Sequence, residues 1–313
     1  MIVASSIDEI SEALCETSLT IGNFDGVHMG HAKLLSRTRL KAEINNRISV
    51  ALTFEPHPRR VILGKNDPPL ITPTPQKLEL IEALGINITV VLPFTKEIAA
   101  HTPEAFVKKF LVDGFKVKDL VIGYDYAFGR GRKGNYELLS ALGAQYGYVV
   151  ERLDPVILDG AVVSSTRIRD LVEAGNVWDA RPLLNRFYQV RGEVVRGFGR
   201  GSKLVGFPTA NLHLVDELVP KHGVYAVWVQ ADGQTYSGVA NIGHNPTFGN
   251  AVAGVEAHIF DFKGDLYGKT IRVHFVQRIR DERKFSGVEE LTARIREDAA
   301  LARRILSMPE ARL

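Results

Sequence analysis

The sequence predicts an α/β domain built on a parallel sheet, followed by an all-β domain closed by one terminal helix. Three observations carry this reading. Short apolar strands alternate with helical patterns through the first half of the chain. From about residue 188 the pattern changes to strand after strand. At 313 residues the chain also exceeds the usual size of a single hydrophobic core.

In the first half, residues 19–22 form an apolar run ending in glycine, and a helical stretch follows over about 30–42. Residues 48–54 read as a strand. Residues 74–84 read as a helix with Thr74 as N-cap, Pro75 at the first position and Gly85 just past the end. A strand at 88–94 follows, and Thr102, Pro103 and Glu104 open a helix through Phe110 by the same cap logic. A strand at 120–123, a helix at 136–144 and a strand at 148–151 complete the alternation. The connection over 55–73 stands apart. It holds Pro56, Pro58, Pro68, Pro69 and Pro73, and connections of that length are uncommon unless they serve a function.

Two short helical patterns come next, at 166–174 and Val177–Leu184. Strand-like segments then cover 189–195, 225–230, 235–241, 255–262 and 270–278, with Asp232-Gly233 as a hairpin turn signal. The last helix carries an apolar stripe, Leu291, Ile295, Ala299, Ala302 and Ile305, which suits capping a β core. The boundary is expected near 181–186, giving domains 1–184 and 185–313.

Composition narrows the function. Hydrophobic residues make up 45% and charged residues 24%, ordinary for a soluble globular protein, and a net charge of +3 gives no case for a nucleic-acid partner. Cys15 is the single cysteine, so neither an intrachain disulfide nor a Cys-based zinc site can form. The opening segment lacks the basic-then-apolar pattern of a secretory signal, and no run reaches the roughly 18 apolar residues that cross a bilayer. The expected setting is cytoplasmic, with small-molecule partners and neither nucleic acid nor membrane.

The first chemical motif is Gly22-Asn23-Phe24-Asp25-Gly26-Val27-His28-Met29-Gly30-His31, between a strand and a helix. A helix N-terminus offers free N–H groups and the positive end of the dipole to an anion. Gly22, Gly26 and Gly30 let a phosphate approach the backbone. His28 and His31, three apart, share a face and can donate hydrogen bonds to a phosphate as charge builds in an in-line displacement. Metal binding by a His-x-x-His pair and a core histidine bonded to a carbonyl are the other readings. The first lacks a nearby third ligand, and the flanking glycines and strand-to-helix setting favour phosphate.

This run resembles the His-x-Gly-His signature of the nucleotidyltransferase superfamily, and in detail the bacterial bifunctional riboflavin kinases/FAD synthetases. Ser164-Ser165-Thr166-Arg167-Ile168-Arg169 resembles the family's Ser-Ser-Thr-x-x-Arg segment. Ser164 or Ser165 can cap the following helix, and Arg169 can clamp a triphosphate with its planar fork. The resemblance implies a Rossmann-like nucleotidyltransferase domain in which Gly22, Phe24, Asp25, Gly26, Ser164, Ser165 and Arg169 bind nucleotide. Phe54-Glu55-Pro56-His57-Pro58 resembles the family's loop beside the flavin, implying flavin contacts for Pro56 and His57. The segment from Gly123 to Gly134 resembles its flavin and adenine contact loop, implying contacts for Asp125 and Phe128. Some members carry Asn where Asp125 stands. Arg130, Arg132 and Lys133 fit either steering of an anionic flavin or a solvated loop.

The second motif is Gly197-Phe198-Gly199-Arg200-Gly201 with Gly206-Phe207-Pro208-Thr209-Ala210-Asn211 close behind. No helix follows, so dinucleotide-fold and P-loop readings fail their structural test. A threonine hydroxyl and an asparagine carbonyl are hard oxygen ligands suited to Mg²⁺. The span resembles the flavokinase family, whose fold is a six-stranded antiparallel barrel. The resemblance implies that Gly199, Arg200 and Gly201 cover ATP phosphates and that Thr209 and Asn211 bind Mg²⁺ and nucleotide. It also implies a catalytic base within a Glu-Thr-His segment. The match here is Glu256-Ala257-His258, so the base is Glu256, and Ala257 in place of Thr should point away from the site because strand neighbours alternate faces. The stretch from Asn241 to Thr247 matches a family loop near the nucleotide and carries no expected catalytic role.

Together these expectations describe an enzyme that phosphorylates riboflavin to FMN with ATP and adenylylates FMN to FAD. A nucleotidyltransferase for another phosphate ester fused to a kinase is one rival. A non-catalytic flavin sensor is another, and it would be expected to have lost His28, His31, Thr209, Asn211 or Glu256, all of which are present.

Overall fold

The computed structural model describes every residue except 66, 197–206 and 245–252. The chain divides into two compact units, Met1–Ser165 and Thr166–Leu313.

The first unit is a wholly parallel six-stranded sheet. Its strands are β1 (Ile2–Ala4), β2 (Thr17–Ile21), β3 (Ile48–Glu55), β4 (Ile88–Pro93), β5 (Val117–Gly123) and β6 (Val149–Leu153), in the order β1-β4-β3-β2-β5-β6. Its helices are α1 (Met29–Ile44), α2 (Pro58–Leu63), α3 (Thr74–Ala83), α4 (Lys96–Ala99), α5 (Pro103–Phe106) and α6 (Tyr136–Tyr146), and a small hairpin pairs β7 (Ile157–Leu158) with β8 (Ala161–Val162). All five residues of β2 are buried, as are six consecutive residues of β3, so both strands lack polar alternation. That is the signature of a parallel sheet covered on both faces. Strand β1 is too short, and Ile2 and Val3 too exposed, to give a periodic signal in the sequence.

Three local expectations change. Pro73, not Thr74, occupies the N-cap position of α3, and the Thr74 hydroxyl is committed to the Glu55 carboxylate instead. Thr102 does cap α5, accepting from the Ala105 N–H at 3.2 Å, but the helix passes into a π-helical stretch, Val107–Gly114. The long connection holds α2, capped by His57, whose Nδ1 accepts from the Arg59 N–H at 3.2 Å.

Strand order fixes where a ligand can enter. Strands β3 and β4 lie on one side of β2, and β5 and β6 on the other. The chain therefore changes direction across the sheet between β2 and β5. In open parallel sheets, ligands bind beyond the carboxyl ends of the strands at such a switch point.

The second unit carries α7 (Ser165–Glu173), whose first residue belongs to the first unit, α8 (Val177–Leu184), a barrel and α9 (Val288–Leu306). The barrel strands are β9 (Tyr188–Val195), β10 (Ala210–His213), β11 (Gly223–Ala231), β12 (Gln234–His244), β13 (Ala253–Ile259) and β14 (Thr270–Arg280). They close antiparallel in the order β10-β13-β12-β11-β14-β9, with β9 pairing back to β10. Short β10, absent from the expected strands, completes the ring. Val224, Ala226, Val239 and Val276 pack against Ala302, Ile305 and Leu306 of α9, so the stripe of the last helix covers the outer wall as expected.

Helix α8 packs on β9 and β14 and buries Val177, Ala180, Leu183 and Leu184. Fragments 166–313 and 185–313 are both expected to fold. The shorter one should melt at a lower temperature, because each buried Val or Leu removed forfeits about 1.5–3 kcal/mol. Equal midpoints in parallel thermal melts would show that α8 adds nothing to the barrel.

Candidate active sites

The loop leaving β2 is a tightly wound turn. Phe24, Gly26 and Val27 adopt φ of 49°, 91° and 36°, a region L-residues avoid unless the surroundings impose it. Those surroundings are specific. The Thr72 N–H donates to Asp25 Oδ1 at 3.0 Å while the Gly26 N–H donates to Thr72 Oγ1 at 2.9 Å. Thr53 Oγ1 donates to the Asn23 carbonyl at 3.1 Å, and Ser165 Oγ to the Asp25 carbonyl at 2.8 Å. Three separate segments thus hold one short loop.

The two motif histidines come together at the start of α1. His28 is the N-cap, its Nδ1 accepting from the His31 N–H at 3.4 Å, and the rings stack with centroids 3.7 Å apart and 18° between planes. With Nδ1 accepting, neutral His28 carries its proton on Nε2. A Cβ on Gly30 would stand 3.0 Å from His28 Cε1, so this glycine makes room for the ring. On Gly22 a Cβ would stand 2.8 Å from the Phe24 ring. These two glycines accommodate rings of the protein itself, a reason the sequence alone does not reveal.

The barrel holds a cavity of about 280 Å³ on its outer wall, between β11, β12 and β13, the segment after β14, and α9. Glu256 lines it together with Thr209 and Asn241. In register Glu256 lies opposite Asn211 on one side and Asn241 on the other, so all three share one face. Ala257 is fully buried on the opposite face, as the alternation requires. His258 Nδ1 lies 2.8 Å from the Pro208 carbonyl and fixes the approach to Thr209. Burial pushes the Glu256 carboxyl above its ordinary value, and the neighbouring Glu282 charge adds to this. The far wall is pinned by Arg280, whose guanidinium grips the buried Asp298 of α9 at 2.7 and 2.9 Å.

Comparison with known proteins assigns both halves. A family model for FAD synthetase matches residues 10–167, and one for riboflavin kinase matches residues 184–306. A bifunctional riboflavin kinase/FMN adenylyltransferase from Haemophilus influenzae is 37% identical over 91% of this chain and 93% of its own length. One from Bacillus subtilis is 36% identical over 95% of each. This chain belongs to the bifunctional riboflavin kinase/FMN adenylyltransferase family. A solved structure named as a macrolide-efflux protein from Streptococcus pneumoniae has the same architecture, with a TM-score of 0.85 at 31% identity over 96% of this chain and 98% of that one.

The remaining expected residues are spread more widely. Gly199, Arg200 and Gly201 lie outside the described residues. Asn241 and Ile242 lie within β12 and not in a loop, with 245–247 again outside the described residues. Arg169 stands on α7 four residues after Ser165, on the same helix face. Ser165 opens that helix and commits its hydroxyl to Asp25. His57 is buried as a cap, while Pro56 beside it is exposed. Asp125 is exposed beyond the end of β5, at the switch point, whereas Phe128 joins the core, stacked on Tyr126 at 5.6 Å. Arg130, Arg132 and Lys133 are all exposed. Among the described residues, no three His, Cys, Asp or Glu side chains are placed to hold a metal ion, and no helix is long and apolar enough to cross a membrane.

Gly26 combines φ of 91° with Ile71 at 3.3 Å from a would-be Cβ. Gly26→Ala is expected to cost about 1–3 kcal/mol through backbone strain, and to depress FAD formation more than FMN formation. Flavin separation after incubation with riboflavin and ATP reads this out; an equal loss of both products would contradict it.

Proposed function

We infer that this enzyme makes FAD from riboflavin in two ATP-dependent steps, with FMN adenylylation assigned to residues 1–184 and riboflavin phosphorylation to 185–313. The observation that carries the reading is a pair of chemically distinct centres in one chain. One is a stacked histidine pair at a parallel-sheet switch point; the other is a half-buried carboxylate between two asparagines on a barrel wall.

In the first step Glu256 takes the proton of the riboflavin 5′-hydroxyl as its oxygen attacks the γ-phosphorus of ATP and ADP leaves. The site suits this role because Glu256 sits in a cavity with apolar walls, Leu291 and Ile295 among them, that can receive a flavin. Thr209 and Asn211 offer the hard oxygens that Mg²⁺ prefers, and phosphates and water would complete its shell. The ion would supply charge neutralisation for the phosphoryl group. In the second step a phosphate oxygen of FMN attacks the α-phosphorus of ATP and pyrophosphate leaves. No protein nucleophile is required. His28 and His31 donate hydrogen bonds to the α-phosphate, and the backbone of the loop, with Gly22, Phe24, Asp25 and Gly26, positions the nucleotide.

His28→Ala and His31→Ala are each expected to slow FAD formation about 10²–10³-fold, the usual cost of losing one transition-state donor, while FMN formation stays near wild type. Parallel loss of both activities would assign the histidines to folding.

Glu256→Gln should slow FMN production roughly 10²–10⁴-fold, while FMN supplied directly is still adenylylated. The base must be ionised, so phosphorylation should fall as pH drops through the raised Glu256 value, and Glu282→Gln should move that limb to lower pH. Single-turnover FMN production within about threefold of wild type in Glu256→Gln would leave the kinase without this base.

A further inference from the structure

Beneath the loop that leaves β2 lies a charge the chemistry above does not use. Lys77, in the first turn of α3, is 4% exposed. Its Nζ lies 3.5 Å from Thr53 Oγ1, the hydroxyl that holds the Asn23 carbonyl. Burial pushes the ammonium below the ordinary lysine value, and the charges of Asp25 and Glu55 pull it back up. Asp25 is itself 2% exposed and belongs to the loop, and Glu55 ends β3. A buried ammonium and a buried carboxylate, with half-buried Glu55 beside them, therefore bring charges from three segments together, and a buried charge is tolerated only with a partner.

We propose that Lys77 is a positioning residue for adenylyl transfer: it clasps the loop to β3 from below and cancels negative charge that would otherwise repel the polyphosphate of the nucleotide. Its burial keeps it from touching substrate, so it acts through Asp25 and Asn23. Without it, the charges of Asp25 and Glu55 would stand uncompensated beside the loop. The inference rests on the reading of the 22–31 loop as the adenylyl-transfer site.

The test uses the full chain with steady-state FAD formation at varied ATP. Lys77→Met is expected to raise the ATP KM about tenfold, the size of one unit charge acting over about 12 Å at an effective dielectric of about 20. Its kcat should stay within about threefold, since ground and transition states are repelled alike. Riboflavin phosphorylation should be unchanged. Adding Glu55→Gln should recover most of the tenfold. A filler role in the core would not predict recovery by charge removal.

An unchanged ATP KM in folded Lys77→Met overturns the proposal, as does a rise that Glu55→Gln leaves in place. If Lys77→Met does not fold, Lys77→Met/Glu55→Gln decides alone: a wild-type KM supports the proposal, whereas a raised KM, or failure of this variant too to fold, overturns it. His28→Ala run alongside separates the two levels. If it spares FAD formation, the site reading itself fails; if it abolishes FAD formation while Lys77→Met is silent, only the role of Lys77 fails.

Discussion

A reciprocal clasp between Thr72 and the Asp25-Gly26 turn is the contact on which the first site depends. One residue donates its backbone N–H to the Asp25 carboxylate and accepts the Gly26 N–H on its hydroxyl. Both bonds are buried, where a lost partner leaves an unsatisfied polar group costing about 1–3 kcal/mol. The turn needs that support. Three of its residues sit at positive φ, two of them not glycine, and only surroundings that over-determine the backbone keep such residues in place. From the turn follows the position of the α1 N-terminus, and from that the stacking of His28 on His31.

The second site depends on a different constraint, the two-residue period of a strand. On β13, Val255, Ala257 and Ile259 fill the barrel, which obliges Glu256 and His258 to face outward. Antiparallel register then sets Asn211 and Asn241 beside Glu256 without any contact having to choose them. The carboxylate is placed by the core on the other side of its own strand. Helix α9 converts that outer face from open wall to cavity, and the Arg280–Asp298 ion pair fixes its docking.

Much of this was legible in the sequence. Alternating apolar runs and helix caps gave five of the six sheet strands and five of the six barrel strands, each within a few residues. The missed strands, β1, β10 and the β7–β8 hairpin, span two to four residues each, too short for a period to register. His28 and His31 stood out by their spacing, Thr209 and Glu256 by resemblance to family segments, and the structure brings the first pair together and sets the second pair around one cavity. What escaped was side-chain commitment. Thr74 looks like a helix cap but is held by Glu55. His57, expected beside the flavin, also serves as the cap of α2. Phe128 belongs to the core. Lys77 lies in a helix whose other charged residues, Glu79 and Glu82, are exposed, so nothing in its spacing marks it as buried. A linear pattern reports which face a residue is on, and only packing reports what its polar atoms are bonded to.

The barrel cavity draws its walls from widely separated stretches: residue 207 onward on one side, 291–298 on the other. A ribosome emits these in order. The first unit, with the turn after β2, is complete when residue 165 clears the exit tunnel, but the cavity wall supplied by α9 comes well over a hundred residues later. Domains generally fold as they emerge. The half that acts second on the flavin is therefore built first, and the half that acts first on it is finished last.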